Sequence, residues 1–204
     1  MTEFRPAGGR VRVGVLISGR GSNLAALIQA AQDPAYPAEI GLVLANAASA
    51  GGLEIARKAG IAAAIVDHRP YKGDREAHER AIDAELRAAG VELVALAGYM
   101  RIFTPWFVQA WRDRMINIHP SLLPHFPGVD THARALAAGH ERHGCTVHWV
   151  TEGVDAGPVI GQAEVAVLDG DTVDVLAARV LAAEHRLYPK CLAQAAASLR
   201  PDLG

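Results

Sequence analysis

Short apolar runs alternate along the chain with longer stretches in which apolar residues recur at helical spacing, and that alternation predicts an open α/β fold. Val11 to Ile17 is largely apolar and ends in SGRGSN, the pattern of a buried parallel strand entering a tight turn. Ser22 or Asn23 is the expected cap of a helix from Leu24 to Ala31, which Asp33-Pro34 and Tyr36-Pro37 then break. A second strand, Ile40 to Ala45, leads through Asn46 to a helix from Gly51 to Ala59 closed by Gly60, and Ala62 to Val66 is a weaker third strand. Asp74 to Ala89 is the clearest amphipathic helix, with Ala77, Ala81, Ile82 and Leu86 on one face. Val91 to Ala97 is apolar almost throughout, as a strand covered on both faces must be.

Beyond Gly98 the chain reads YMRIFTPWF, where Thr104 fits an N-cap and Pro105 the first helical position of a helix ending at Trp111. MINIHPS, from Met115, is the next strand. The pattern then loosens: His125 to Gly128 is turn-rich, Thr131 to Ala138 a short helix, and Cys145 to Val150 and Pro158 to Val167 two strands joined by TEGVDAG. The last predicted helix runs from Thr172 to Leu187 with Asp171 as its cap, and Tyr188-Pro189 interrupts it before a final Ala-rich turn. The expectation is a mostly parallel, doubly wound Rossmann-like sheet with flanking helices and an antiparallel portion near the C-terminal half. Residues 1–10 are expected to be a disordered lead and 11–204 a single domain.

Composition narrows the function. Half of the 204 residues are hydrophobic, which supports one sizeable core and argues against disorder. A formal net charge of −2 leaves no electrostatic footprint for a nucleic-acid partner. No stretch reaches membrane-spanning length and the N-terminus lacks a signal-peptide pattern, so a soluble cytoplasmic protein is expected, with monomer and homodimer both left open. Cys145 and Cys191 match neither a zinc site nor a CxxC pair and read as inert packing residues.

Candidate chemistry centres on Asn117 and His119, an amide and an imidazole at the end of an apolar strand that Pro120 stops. The plainer alternative is a hydrogen-bonded structural pair. SGRGSN, between strand and helix, is an anion-binding arrangement suited to a phosphate; it is neither a full dinucleotide fingerprint nor a Walker loop, and an ordinary capped turn is its alternative. Asp155, in VDAGPVI, would favour the charged form of His119 if its loop folds back, and Asn117 could then donate to an oxyanion. Glu184 is by default a surface ion-pair member, but facing the sheet it could receive an amine. Arg75, Arg101, His132 and His148 are unremarkable singly, and the histidines show no metal-ligand spacing.

Taken together, SGRGSN, LAGYMRI, NIHPSLLP, the HFPG loop, HGCTVHWV, VDAGPVIGQ and EHRLYP stand in the order and spacing of the glycinamide ribonucleotide formyltransferases of purine biosynthesis, folate-dependent formyltransferases that this chain resembles from Val11 to Lys190. The resemblance implies transfer of a formyl group from 10-formyltetrahydrofolate, a consumed co-substrate, to the amine of 5-phosphoribosylglycinamide, without a metal. It implies that Gly21, Ser22 and Asn23 bind the substrate phosphate and that Glu184 lies near the glycinamide amine. By the same resemblance Arg75, Met100, Arg101, Ile102, Phe103 and Asn117 belong to the folate site, and Asn117, His119 and Asp155 are catalytic.

Arg20, His125 and Asp130 depart from the typical pattern, and Arg20 can add a charge-assisted phosphate contact. Two relatives are less well matched. Formyltetrahydrofolate deformylase carries an additional N-terminal regulatory domain, and methionyl-tRNA formyltransferase a C-terminal nucleic-acid-binding one. A non-catalytic phosphate-binding module would keep SGRGSN and tolerate loss of Asn117, His119 or Asp155.

Overall fold

The computed structural model describes residues 9–200. Residues 1–8 of the expected lead lie outside them. Arg10, also assigned to that lead, is tied into the fold: its guanidinium donates to the carbonyls of Ala31, at 2.5 Å, and Ala38.

The strands are β1 (Val11–Ile17), β2 (Ala38–Ala45), β3 (Ala63–Ile65), β4 (Leu93–Leu96), β5 (Met115–His119), β6 (Arg142–Trp149) and β7 (Val159–Ala166). The helices are α1 (Ser22–Ala31), α2 (Gly52–Lys58), α3 (Arg75–Ala88), α4 (Pro105–Ala110), α5 (Thr131–Ala137) and α6 (Val173–Ser198). One seven-stranded sheet runs in the order β3-β2-β1-β4-β5-β6-β7. Its first five strands are parallel, β6 pairs antiparallel with β5, and β7 pairs antiparallel with β6. This is the mostly parallel sheet with an antiparallel C-terminal portion that the sequence predicts.

Strand alternation divides the core into two layers. Val13, Val15, Ile17, Ile116 and Ile118 pack with residues of α1 and α6 on one face. Leu16, Val94, Leu96 and Met115 pack with Ile82, Leu86, Phe107 and Trp111 of α3, α4 and the residue after α4 on the other. Asn117 and His119 have the parity of Met115 and so belong to this second face, at the C-terminal end of β5.

Both ends of the last helix differ from expectation. Thr172, not Asp171, caps α6, its hydroxyl accepting the Val175 N–H at 3.3 Å; the Asp171 carboxylate is taken by Arg179. Nor does α6 stop at Tyr188-Pro189: it runs 26 residues with Pro189 inside. A helix-interior proline costs about 3 kcal/mol, and the turn around it repays more. Tyr188 and Leu192 are fully buried, each contributing about 1.5–3 kcal/mol. The Tyr188 hydroxyl also donates to the Leu96 carbonyl at 2.9 Å, and Tyr36 donates to the Pro189 carbonyl at 2.6 Å. Periodicity reports local preference, and here tertiary packing overrides it.

Candidate active site

The chain leaves β1 and β4 toward opposite ends of the parallel sheet, so the crevice beyond their C-terminal ends is the topological switch point where open α/β proteins bind ligands. The two loops that leave these strands are joined there. Ser18 N–H donates to the Gly98 carbonyl at 3.2 Å, and the Ser18 hydroxyl accepts the Met100 N–H at 2.9 Å. This pins a ledge on which Met100 is 73% and Ile102 62% exposed, while Phe103 stacks between Tyr99 and Phe107 at 5.2 and 4.4 Å. Arg101 borders the ledge half-buried, and Arg75 is exposed at the first position of α3.

Gly21, rather than Ser22 or Asn23, is the N-cap of α1, with φ 80°. A Cβ there would sit 2.6 Å from the Gly52 Cα, so both conformation and space call for glycine. Its αL turn starts the helix at Ser22 and leaves the first N–H groups free to meet an anion. The Asn23 side chain turns inward and donates to Glu184 Oε2 at 2.7 Å, while Asn23 Oδ1 is buried without a partner among the described residues. Burial pushes the Glu184 carboxyl up, against the pull of the Asn23 bond. An orphan oxygen beside a buried carboxylate calls for an N–H donor from outside the chain.

At the end of β5 four side chains converge. His119 is buried, its Nε2 donates to the Phe126 carbonyl at 3.0 Å, and its Nδ1 faces Asp155 Oδ2 at 3.3 Å. Asp155 Oδ2 also accepts the Gly128 N–H at 2.9 Å, and Oδ1 lies 3.6 Å from His148 Nε2. His148 Nδ1 donates to the Trp149 carbonyl at 2.9 Å, leaving Nε2 3.2 Å from the Asn117 amide nitrogen. Burial raises the Asp155 pKa, but the His148 imidazole beside it, the Gly128 N–H and the neighbouring His119 imidazole outweigh it, so the carboxyl is held below its usual range. Asp155 itself has φ 51°, strain that the three contacts offset. Chemically the group offers an imidazole able to give or take a proton, an ionised carboxylate that orients it, and an amide that can donate to a developing oxyanion.

The SGRGSN turn after β1 and this cluster are separated by one strand, β4, so they stand about 10 Å apart across the sheet. Three contributors were not legible in the sequence. Phe126 and Gly128 act through backbone groups, and His148 gains its place from the antiparallel register that sets it opposite Asn117. Among the positions marked as departures, Arg20 is exposed within the SGRGSN turn, His125 packs its ring 5.5 Å from His140, and Asp130 is the αL N-cap of α5.

A cavity of about 740 Å³ lies at the other end of β5, bordered by Gln109, Arg112, Trp149 and Glu152. Neither Asn117 nor His119 lines it, although Glu152 and Gly153 of the loop that carries Asp155 do. Both cysteines are buried, and burial pushes the Cys145 thiol up to about 12 and that of Cys191 up to about 11, which leaves them unreactive. Among the described residues no group of three or more His, Cys, Asp or Glu could hold a metal ion, and no helix is long and apolar enough to cross a membrane.

Residues 11–192 match the family model described as formyl transferase. The phosphoribosylglycinamide formyltransferase of Escherichia coli is 47% identical over 175 residues, which cover 87% of this chain and 82% of that protein. The human trifunctional purine biosynthetic protein adenosine-3 is 47% identical over 195 residues, but this chain spans only 19% of its length; across the trifunctional relatives the share is 13–19%. Among solved structures, phosphoribosylglycinamide formyltransferase from Brucella melitensis superposes with a TM-score of 0.88 at 54% identity, covering 92% of this chain and 96% of that one. Glycinamide ribonucleotide transformylase 1 from Symbiobacterium toebii gives 0.90 at 46% identity, covering 94% and 90%. With the site's geometry and these matches in agreement, the chain belongs to the formyl transferase family, among relatives named as phosphoribosylglycinamide formyltransferases.

Proposed function

We propose that this protein transfers the formyl group of 10-formyltetrahydrofolate to the amine of 5-phosphoribosylglycinamide, releasing tetrahydrofolate and the formylated ribonucleotide of purine biosynthesis. The observation that carries the reading is the contact of His119 with Asp155, joined to Asn117 through His148, one strand away from an anion-binding helix start. In this reading the N–H groups of Gly21, Ser22 and Asn23 hold the substrate phosphate, and Glu184 with the orphan Asn23 oxygen receives the glycinamide amine. The exposed apolar ledge of Met100 and Ile102, flanked by Arg101, Phe103 and Arg75, takes the folate.

The chemistry follows from placing the two substrates in one cleft, which removes much of the entropic barrier. The amine nitrogen bonds to the formyl carbon, and the carbonyl electrons move to oxygen, where Asn117 and protonated His119 stabilise the charge. Collapse breaks the bond to the folate nitrogen, which takes a proton from His119 directly or through water, while the proton lost by the new amide nitrogen passes through water to restore His119. Asp155 balances the charge on the imidazole throughout. Two buried free cysteines accord with a reducing, cytoplasmic setting.

The test is the absorbance change of formyl-folate conversion by purified protein, with and without glycinamide ribonucleotide. Turnover that requires the ribonucleotide supports the transferase. Amine-independent turnover replaces it with a deformylase, and no turnover leaves a phosphate-binding module.

A further inference from the structure

Thr104 begins α4, yet its hydroxyl does not cap that helix. At an N-cap a threonine hydroxyl ordinarily accepts an N–H of the first turn. Here it donates to Glu79 Oε2, and the Thr104 backbone N–H donates to Oε1 of the same carboxylate at 2.8 Å. Both polar groups of one residue are thus held by a single side chain from α3. Glu79 is only 3% exposed, and a carboxylate is rarely buried without bonds that offset its lost hydration. Burial pushes its pKa up, against the pull of the two Thr104 bonds and of the Arg75 charge one turn earlier on α3.

Thr104 directly follows YMRIF, and at the other end of that segment the Ser18 hydroxyl holds the Met100 N–H at 2.9 Å. Arg101, Ile102 and Phe103 therefore hang between two pins. Their backbone N–H and C=O groups make no hydrogen bond among the described residues. Unclaimed backbone donors and acceptors bind a ligand edge well only when they are already in place as the ligand arrives. We infer that Glu79 is a positioning residue for the co-substrate: by gripping Thr104 it fixes the α4 end of the ledge and sets the affinity for folate without touching it, a role that rests on the proposed seat of the folate on this ledge.

Three variants separate the grip from the bulk and from the charge. Glu79→Met keeps the length of the side chain and removes both acceptors. Glu79→Gln keeps an acceptor for the Thr104 N–H and offers its amide to the hydroxyl, which can accept as well as donate. Thr104→Val removes the hydroxyl alone and leaves α3 intact. Backbone ¹⁵N relaxation of residues 101–103 reads the ledge with no ligand present: order parameters near the rigid value of about 0.85 are expected in the wild type and Glu79→Gln, with a fall toward about 0.6 in Glu79→Met and a smaller fall in Thr104→Val. Tetrahydrofolate, titrated calorimetrically, should bind Glu79→Met about 10-fold more weakly, the scale of hydrogen bonds to a charged acceptor, and Glu79→Gln with nearly wild-type affinity. In turnover the KM for formyl-folate should rise with it while that for glycinamide ribonucleotide stays unchanged; a general loss of stability would move both. A ledge as rigid in Glu79→Met as in the wild type overturns the inference, and so do equal weakening of both substrates and a Glu79→Gln variant as impaired as Glu79→Met. Should Glu79→Met not fold, a rigid ledge and unchanged tetrahydrofolate binding in Thr104→Val overturn it instead. A wild-type protein that does not bind tetrahydrofolate defeats the ledge as the folate site, and the relaxation data still decide whether Glu79 holds it.

Discussion

Asp155 Oδ2 lies 3.3 Å from His119 Nδ1 while accepting the Gly128 N–H at 2.9 Å, so one oxygen is shared between a side chain and a loop backbone. The carboxylate orients the imidazole, and Gly128 in turn orients the carboxylate. Asp155→Asn keeps the shape and removes the charge, and kcat is expected to fall about a hundredfold or more. The carboxyl pKa is lowered, so protonation of Asp155 extinguishes activity only below the usual carboxylate range; wild-type kcat should show no carboxylate limb above that range. A kcat–pH profile for the Asn variant that overlays the wild type would remove Asp155 from the mechanism.

Gly157 sets where Asp155 can be. A Cβ at Gly157 would stand 1.7 Å from the Trp149 carbonyl oxygen, whereas one at Gly153 meets only the Ala156 Cβ at 3.0 Å. Gly157→Ala must therefore move the backbone two residues from the carboxylate. An ångström of displacement at a reacting group costs about a hundredfold in rate, and kcat/KM should drop by that order while Gly153→Ala stays within a few-fold of wild type. Equal activities in the two variants would show that the loop's path is not what positions Asp155.

The contrast between these glycines shows where the sequence is silent. β1, β4 and α3 were legible because burial on both faces makes a continuous apolar run and burial of one stripe makes a helical period. β6 begins at Arg142, earlier than Cys145, because its first residue is exposed and polar and draws its place from pairing with β7. Asn117 and His119 share a face by simple alternation. That Asp155 reaches them depends on loop geometry, and the Phe126 carbonyl and Gly128 N–H have no side-chain signature at all. Asn23 and Glu184 meet from positions 161 residues apart, a contact only the packing of α1 on α6 can create.

That contact carries its own cost. Burial raises the Glu184 pKa above its unfolded value, so the folded protein holds the proton more tightly, and stability declines as pH rises from the unfolded pKa through the folded one. Glu184→Gln removes the buried charge, and the variant should melt at or above the wild-type temperature at pH 8. Its KM for glycinamide ribonucleotide should rise about 10-fold or more, the worth of one charge-assisted hydrogen bond. A lower melting point with unchanged KM would make Glu184 a structural residue alone.

His143 is one source of acid sensitivity in the fold. It is buried, and its Nε2 meets the Nδ1 of His132 at 3.1 Å. Burial, with the nearby imidazoles of His132, His140 and His119, lowers its pKa from 6.5 to about 4, against the opposing pull of the Pro120 carbonyl. Between those values the unfolded chain binds a proton that the folded chain refuses, so stability is full above pH 6.5 and is lost as pH falls toward 4. The loss from this one group is on the order of 3 kcal/mol. Melting temperatures of wild type and His143→Gln between pH 7.5 and 4.5 should converge, because the variant, though weaker at neutral pH, lacks this proton uptake; parallel curves would assign the acid sensitivity elsewhere. Because the His143 ring lies 6.0 Å from that of Phe126, whose carbonyl holds His119, acid is expected to weaken the packing around the His119 imidazole before it protonates Asp155.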